Sequence, residues 1–256
     1  QNRSANSILK FIFIGLFVFS LMLSMAVPVI KMPKLTGPFT VGTSIYHWVD
    51  QDRLEWFTEN PNDKRQIMVQ IWYPGEKIKK AKRSSYLDRM DIRAETIGAA
   101  GNFPGFIANH LSLTKTNSFI DIKPNPVSAP FPIIIISHGI TSMRQIHTSL
   151  AEKLANHGYV VIVPDHSYDA NLTIFPDGSV ADYRSDITGD PDSILIRRSQ
   201  INTRAADIHF LLNQLERIQS GEIIHPLNGY LNLNQIGLTG HSYGGGTSIL
   251  ASFQDD

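Results

Sequence analysis

The stretch Gln235-Ile236-Gly237-Leu238-Thr239-Gly240-His241-Ser242-Tyr243-Gly244-Gly245-Gly246-Thr247 decides the fold. Gln235 to Thr239 reads as a short strand, and Ser248-Ile249-Leu250-Ala251-Ser252-Phe253 as the helix that follows. Between them a glycine-serine-glycine turn lifts one hydroxyl out of the sheet on strained backbone. Side chains two residues before and after that serine would collide with neighbouring chain, which accounts for Gly240 and Gly244. Gly245 and Gly246 are expected to let the helix press closer. Such a pentapeptide also arises by chance as a tight packing turn, so its surroundings must carry the argument. A phosphate loop is the other glycine-rich reading, but its lysine position holds Gly246.

Upstream, Pro132-Ile133-Ile134-Ile135-Ile136-Ser137 is an unbroken apolar run, the mark of a strand buried on both faces. His138-Gly139-Ile140 follows at its carboxyl end. Met143 to Asn156 reads as a helix with Ile146, Leu150, Leu154 and Ala155 on one face, stopped at His157-Gly158. Tyr159 to Pro164 is a second buried strand. Strand, helix and strand of this type form a right-handed parallel crossover. Ile67 to Tyr73, closed by Pro74-Gly75, is expected as an outer strand. Ile194 to Ile218 repeats Ile201, Ala205, Ile208, Leu212, Leu215 and Ile218 at helical spacing, with Arg197, Arg198, Arg204 and Glu216 mostly elsewhere. Lys77 to Lys123 has no dominant period and is expected as a loop-and-helix insertion over the active site. The fold class is therefore α/β, a mostly parallel sheet with helices on both faces.

A serine becomes a nucleophile when it stands clear of the sheet, beside a general base and next to donors for the developing oxyanion. Ser242 is the candidate. The backbone N–H of Tyr243, opening the helix, and that of Ile140, after His138-Gly139, are the expected oxyanion donors. His138 is expected to shape that loop and His166 to line the pocket. In the α/β-hydrolase fold the acid and histidine of the triad follow the serine. Only 14 residues follow Ser242, none is histidine, and Asp255 and Asp256 come before another strand begins. The expectation is a hydrolase domain truncated at its C-terminus, which binds better than it turns over.

Twenty-three basic and 23 acidic residues balance in 256, without a basic stripe, so nucleic acid is not an expected partner. Asp182, Asp186, Asp190 and Asp192 lack the alternation of a calcium loop and read as a solvated loop. No cysteine is present, which removes thiol and zinc-thiolate chemistry. The triplet Asn171-Leu172-Thr173 permits glycosylation. Phe11 to Ile30 carries no charge, a length suited to a transmembrane helix. The alternative is a signal peptide with Arg3 and Lys10 before it and Ser24-Met25-Ala26 as cleavage site. The division expected is an anchor or leader over 1–31, a linker over 32–38 and the hydrolase domain over 39–256. The chain is then a membrane protein whose catalytic side is undetermined, the extracellular face being slightly favoured. Gln1 in place of methionine suggests a piece of a longer protein.

These residues resemble the plasma-type platelet-activating factor acetylhydrolase family, including bacterial membrane-anchored relatives. The resemblance rests on Pro132 to Ile140, Leu154 to His166, Ile196 to Leu212 and Gly240 to Gly245. It is extended by Lys34 to Thr43, Tyr46 to Asp50 and Asn62 to Pro74. It implies Ser242 as nucleophile, Tyr243 and Ile140 as oxyanion donors, and no metal or organic cofactor. It also implies hydrolysis of short acyl esters of phospholipid-like substrates at a membrane, in lipid catabolism. The alternatives are a hydrolase of other esters or peptides on the same fold, and a non-catalytic lipid-binding domain.

Overall fold

The structure is a computed structural model describing residues 2–26 and 29–254, with residues 2–6 and 23–26 described by backbone alone. In chain order the elements are α1 (Asn2–Ala26), β1 (Thr40–Leu54), β2 (Lys64–Gly75), β3 (Arg83–Ser85), α2 (Met90–Gly101), α3 (Gly105–Ala108) and β4 (Lys115–Ile120). There follow β5 (Phe131–Ser137), α4 (Thr148–Asn156), β6 (Val160–Asp165), β7 (Leu172–Ile174) and β8 (Val180–Asp182). The last are α5 (Ser193–Gln219), β9 (Leu231–Gly240) and α6 (Tyr243–Gln254). Seven strands form one sheet in the order β3-β4-β1-β2-β6-β5-β9, and β7 pairs with β8 apart from it.

The apolar strands are covered on both sides. On one face Ile67, Val69, Ile71, Ile133, Ile135 and Ile162 pack with Ala205, Ile208, Leu211, Leu215 and Ile218 of α5 and Ala251 of α6. On the other, Trp72, Ile136, Val161 and Val163 pack with Ala151 and Ala155 of α4. A strand sandwiched in this way has no solvated face, which explains runs without alternation.

Several expectations are corrected. The sheet is mixed rather than mostly parallel. β6, β5 and β9 run parallel, but β1 pairs antiparallel with β2 and β2 antiparallel with β6. β2 is central, not outer, because both of its faces bury apolar side chains. The face of α4 is shifted. Arg144 to His147 forms a 3₁₀ turn, whose tighter pitch breaks the helical phase, so Ile146 and Leu150 are exposed and Ala151 and Ala155 are buried. The segment after Lys77 contributes β3 and β4 to the sheet edge opposite β9. Asn171 is buried and its Oδ1 accepts a hydrogen bond from Thr96 at 2.9 Å, so it is not displayed as a glycosylation site.

The expected transmembrane helix is also corrected. Among the described residues no helix is long and apolar enough to cross a membrane. Of the expected span, α1 holds Phe11 to Ala26, which rises about 24 Å, while Val27 and Pro28 lie outside the described residues. A hydrocarbon core of roughly 30 Å requires more. The membrane location inferred from that helix falls with it. The side chains of Arg3 and Ser24 to Ala26, and all of Asp255 and Asp256, lie outside the described residues.

Candidate active site

β9 ends at Gly240 and α6 begins at Tyr243, leaving His241 and Ser242 on the turn. Ser242 is exposed and holds a left-handed backbone, φ 54°. Such a conformation costs a non-glycine residue on the order of 1–3 kcal/mol and survives where packing imposes it. The packing here is backbone on backbone. A Cβ at Gly240 would meet the main chain of Gly244 and lie 2.7 Å from the Ser137 carbonyl oxygen. One at Gly244 would strike the Ser137 carbonyl and lie 2.6 Å from that of His138. By contrast, a Cβ at Gly245 or Gly246 would make only ordinary contacts, at 3.5 and 3.4 Å, so close helix packing does not require them. Ser248 Oγ donates to Thr239 O at 2.8 Å, or to Gly244 O at 3.0 Å, tying helix to strand end.

The turn after β5 lies against this elbow. A Cβ at Gly139 would sit 3.1 Å from His241 Nδ1 and 3.7 Å from Ser242 Cβ. Among the described residues, no acceptor takes the N–H of Ile140 or of Tyr243. Thr141 and Tyr168 are left-handed as well, φ 59° and 66°. The three strained residues thus follow the carboxyl ends of three adjacent parallel strands, β5, β6 and β9. The turns brace each other, Thr141 N donating to Asp169 O at 3.0 Å and Asn171 N to Ser142 O at 2.8 Å.

His138 and His166 are fully buried, so His166 does not line an open pocket. They belong to a polar network behind the turn. Asp207 accepts from Arg65 Nε at 3.0 Å, Arg65 Nη2 at 2.7 Å and Arg53 Nη2 at 2.8 Å. Burial alone would raise the Asp207 pKa, but Arg65, His166 and Arg53 hold it well below the usual carboxylate range. The carboxylate then accepts from His166 Nδ1 at 2.9 Å, leaving His166 Nε2 to accept from the Ser137 hydroxyl at 2.7 Å. Burial and the nearby Arg204 push His166 down to about 4, against the pull of Asp207. Arg204 donates to Ser137 Oγ at 3.2 Å and to the His138 carbonyl. Its guanidinium lies 5.1 Å from the Tyr243 ring centroid, and Tyr243 Oη donates to Arg197 O at 2.8 Å.

The structure therefore brings Ser242, Gly139-Ile140 and Tyr243 together and sets His138 and His166 behind them. Arg65 and Asp207 are missing from the sequence reading, and Arg204, expected away from the apolar face of its helix, is buried. The signal for Arg204 and Asp207 is polar residues at core-facing helical spacing, since Gln200, Arg204, Asp207, Leu211, Gln214 and Ile218 are all buried on α5, whereas Arg65 lies on β2 and has no such signal. Among the described residues the Ser242 hydroxyl has no hydrogen-bond partner, and no group of three His, Asp or Glu is arranged to hold a metal ion. An open, mostly apolar groove of about 490 Å³ runs from Tyr243 along Ile187, Ile194, Arg197 and Ile201. Two other grooves, of about 420 and 460 Å³, lie further along α5 and do not include the elbow.

A mixed sheet with helices on both faces and a strained serine elbow defines the α/β-hydrolase class. A ferulic acid esterase from Streptomyces cinnamoneus shares this fold, with a TM-score of 0.67 and 25% identity over 88% of this chain and 58% of its own. Residues 25–256 match the family described as platelet-activating factor acetylhydrolase, isoform II, and the chain belongs to that family. The platelet-activating factor acetylhydrolase of Cavia porcellus is 25% identical, over 88% of this chain and 52% of its own. A protein of Arthroderma benhamiae named "Probable 1-alkyl-2-acetylglycerophosphocholine esterase" is 24% identical, over 88% and 56%. The chain thus spans little more than half the length of these relatives.

Proposed function

We propose that this chain carries the nucleophile and oxyanion site of a serine carboxylic-ester hydrolase. The observation that carries the reading is Ser242, exposed and left-handed on a strand-to-helix turn, with the Gly139 turn packed against it. Ser242 Oγ attacks the ester carbonyl and loses its proton to a general base. The Ile140 and Tyr243 N–H groups take the negative charge of the tetrahedral oxygen, the alcohol leaves with a proton, and water releases the acid from the acyl-enzyme. The relatives' names support short acyl esters of glycerophospholipids as substrates. The ferulic acid esterase likeness and the apolar groove beside Tyr243 favour a second reading, an ester with an aromatic acyl group.

The test uses the full-length protein and its Ser242→Ala variant against p-nitrophenyl acetate, longer p-nitrophenyl esters and a feruloyl ester. Loss of turnover in the variant with acetyl preferred supports the first reading, and feruloyl preferred supports the second. Undiminished turnover in the variant would overturn the nucleophile role of Ser242, and no turnover in either protein would leave a non-catalytic lipid-binding domain.

A further inference from the structure

We infer that His138 is a positioning residue whose imidazole, held in one tautomer, aims the Ile140 N–H into the oxyanion site; this rests on the ester-hydrolase reading of Ser242. The backbone N–H of His166 lies 3.0 Å from His138 Nε2. A backbone N–H only donates, so Nε2 carries a lone pair and the single proton of the neutral ring is on Nδ1. Nδ1 lies 2.6 Å from the Gly139 carbonyl oxygen and donates to it. That oxygen also accepts from Ser142 N at 3.2 Å.

In a trans peptide C=O and N–H point in opposite directions. Drawing the Gly139 carbonyl toward the buried imidazole therefore turns the Ile140 N–H away from it and leaves that donor unspent. The preceding peptide is held too, since Arg204 donates to the His138 carbonyl. The backbone that reads His138 is itself fixed, because the His166 ring is clasped between Ser137 and Asp207. With no exposed surface, His138 meets neither substrate nor water, and its effect passes through the peptide it holds. Burial, with Arg204 and His166 nearby, keeps the ring neutral far below its ordinary pKa.

The test compares two variants of the full-length protein. In His138→Asn the side-chain amide replaces the Nδ1 donor and loses the Nε2 acceptor; His138→Gln reaches the Nε2 position and loses the Nδ1 donor. If the inference holds, His138→Gln lowers kcat about 100-fold, the size of a lost oxyanion donor, with KM nearly unchanged. His138→Asn keeps at least about a tenth of kcat. Equal losses in both variants, or no loss in His138→Gln, overturn it. Should a variant not fold, two-bond ¹H–¹⁵N spectra of the labelled wild-type protein decide, the Nδ1–H tautomer supporting the inference and the Nε2–H tautomer overturning it. Ser242→Ala, assayed alongside, separates the layers. Undiminished turnover there sinks the nucleophile reading itself, whereas its loss beside unaffected His138 variants sinks only the positioning role.

Discussion

At the scale of single residues, Gly240 and Gly244 bind the elbow to the end of β5 through contacts that leave no room for a methyl group. Gly244→Ala is expected to lower unfolding free energy by about 2–4 kcal/mol in a urea titration, the cost of forcing backbone apart in a packed site. Gly246→Ala, with only an Ile201 methyl at 3.4 Å, is expected to stay within about 0.5 kcal/mol. Equal effects of the two would refute the packing argument. Asp207→Ala leaves the Arg65 guanidinium buried beside Glu55 alone, and should cost about 3–5 kcal/mol in the same titration. The elbow glycines are legible in the sequence because their constraint is local, set by residues two positions from the serine. Arg65 and Asp207 meet across 142 residues of chain, and no local pattern announces that meeting. His166 was legible as a residue at a strand end but not in its role. Whether a strand-end side chain faces the open site or the interior depends on the helix laid over it.

Elements were legible where burial is uniform and illegible where phase or partner decides. β5, β6, α5 and the β9–α6 turn were read from apolar runs and spacing alone. The central place of β2 is not legible locally, because position in a sheet depends on which strands arrive on either side. β4, Lys115–Ile120, is too polar to look like a strand, and pairing with β1 and β3 makes it one. The α4 phase error has a testable form. Ala151→Leu, at a fully buried position against Trp72 and Val161, is expected to cost about 1–3 kcal/mol by overpacking. Leu150→Gln, on the exposed side, should change stability by less than about 0.5 kcal/mol. The reverse order, measured by thermal or urea unfolding, would restore the face expected from sequence.

Across the whole molecule, the buried neutral histidines couple stability to pH. The pKa of His166 falls from 6.5 in the open chain to about 4 in the fold, and burial, the largest cause, also lowers His225 to about 4. Between these values the unfolded chain binds protons that the folded chain does not, so stability rises with pH in that window. The contribution is complete above pH 6.5 and is lost as pH falls toward 4. Unfolding temperature is expected to drop steadily from pH 6.5 to pH 4, and a flat profile over that range would contradict the burial of these rings. The parallel pair β5–β9, which couples Ser137 to Gly240, has a further consequence for how the molecule comes into being. During synthesis β5 emerges about a hundred residues before its partner, with an apolar ribbon and an open row of amides along that edge. The elbow and the Gly139 turn meet only when β9 docks on β5, so a nascent chain holds that edge of β5 unpaired, its apolar side chains and amides waiting, for the whole time that α4, β6 and α5 are being made.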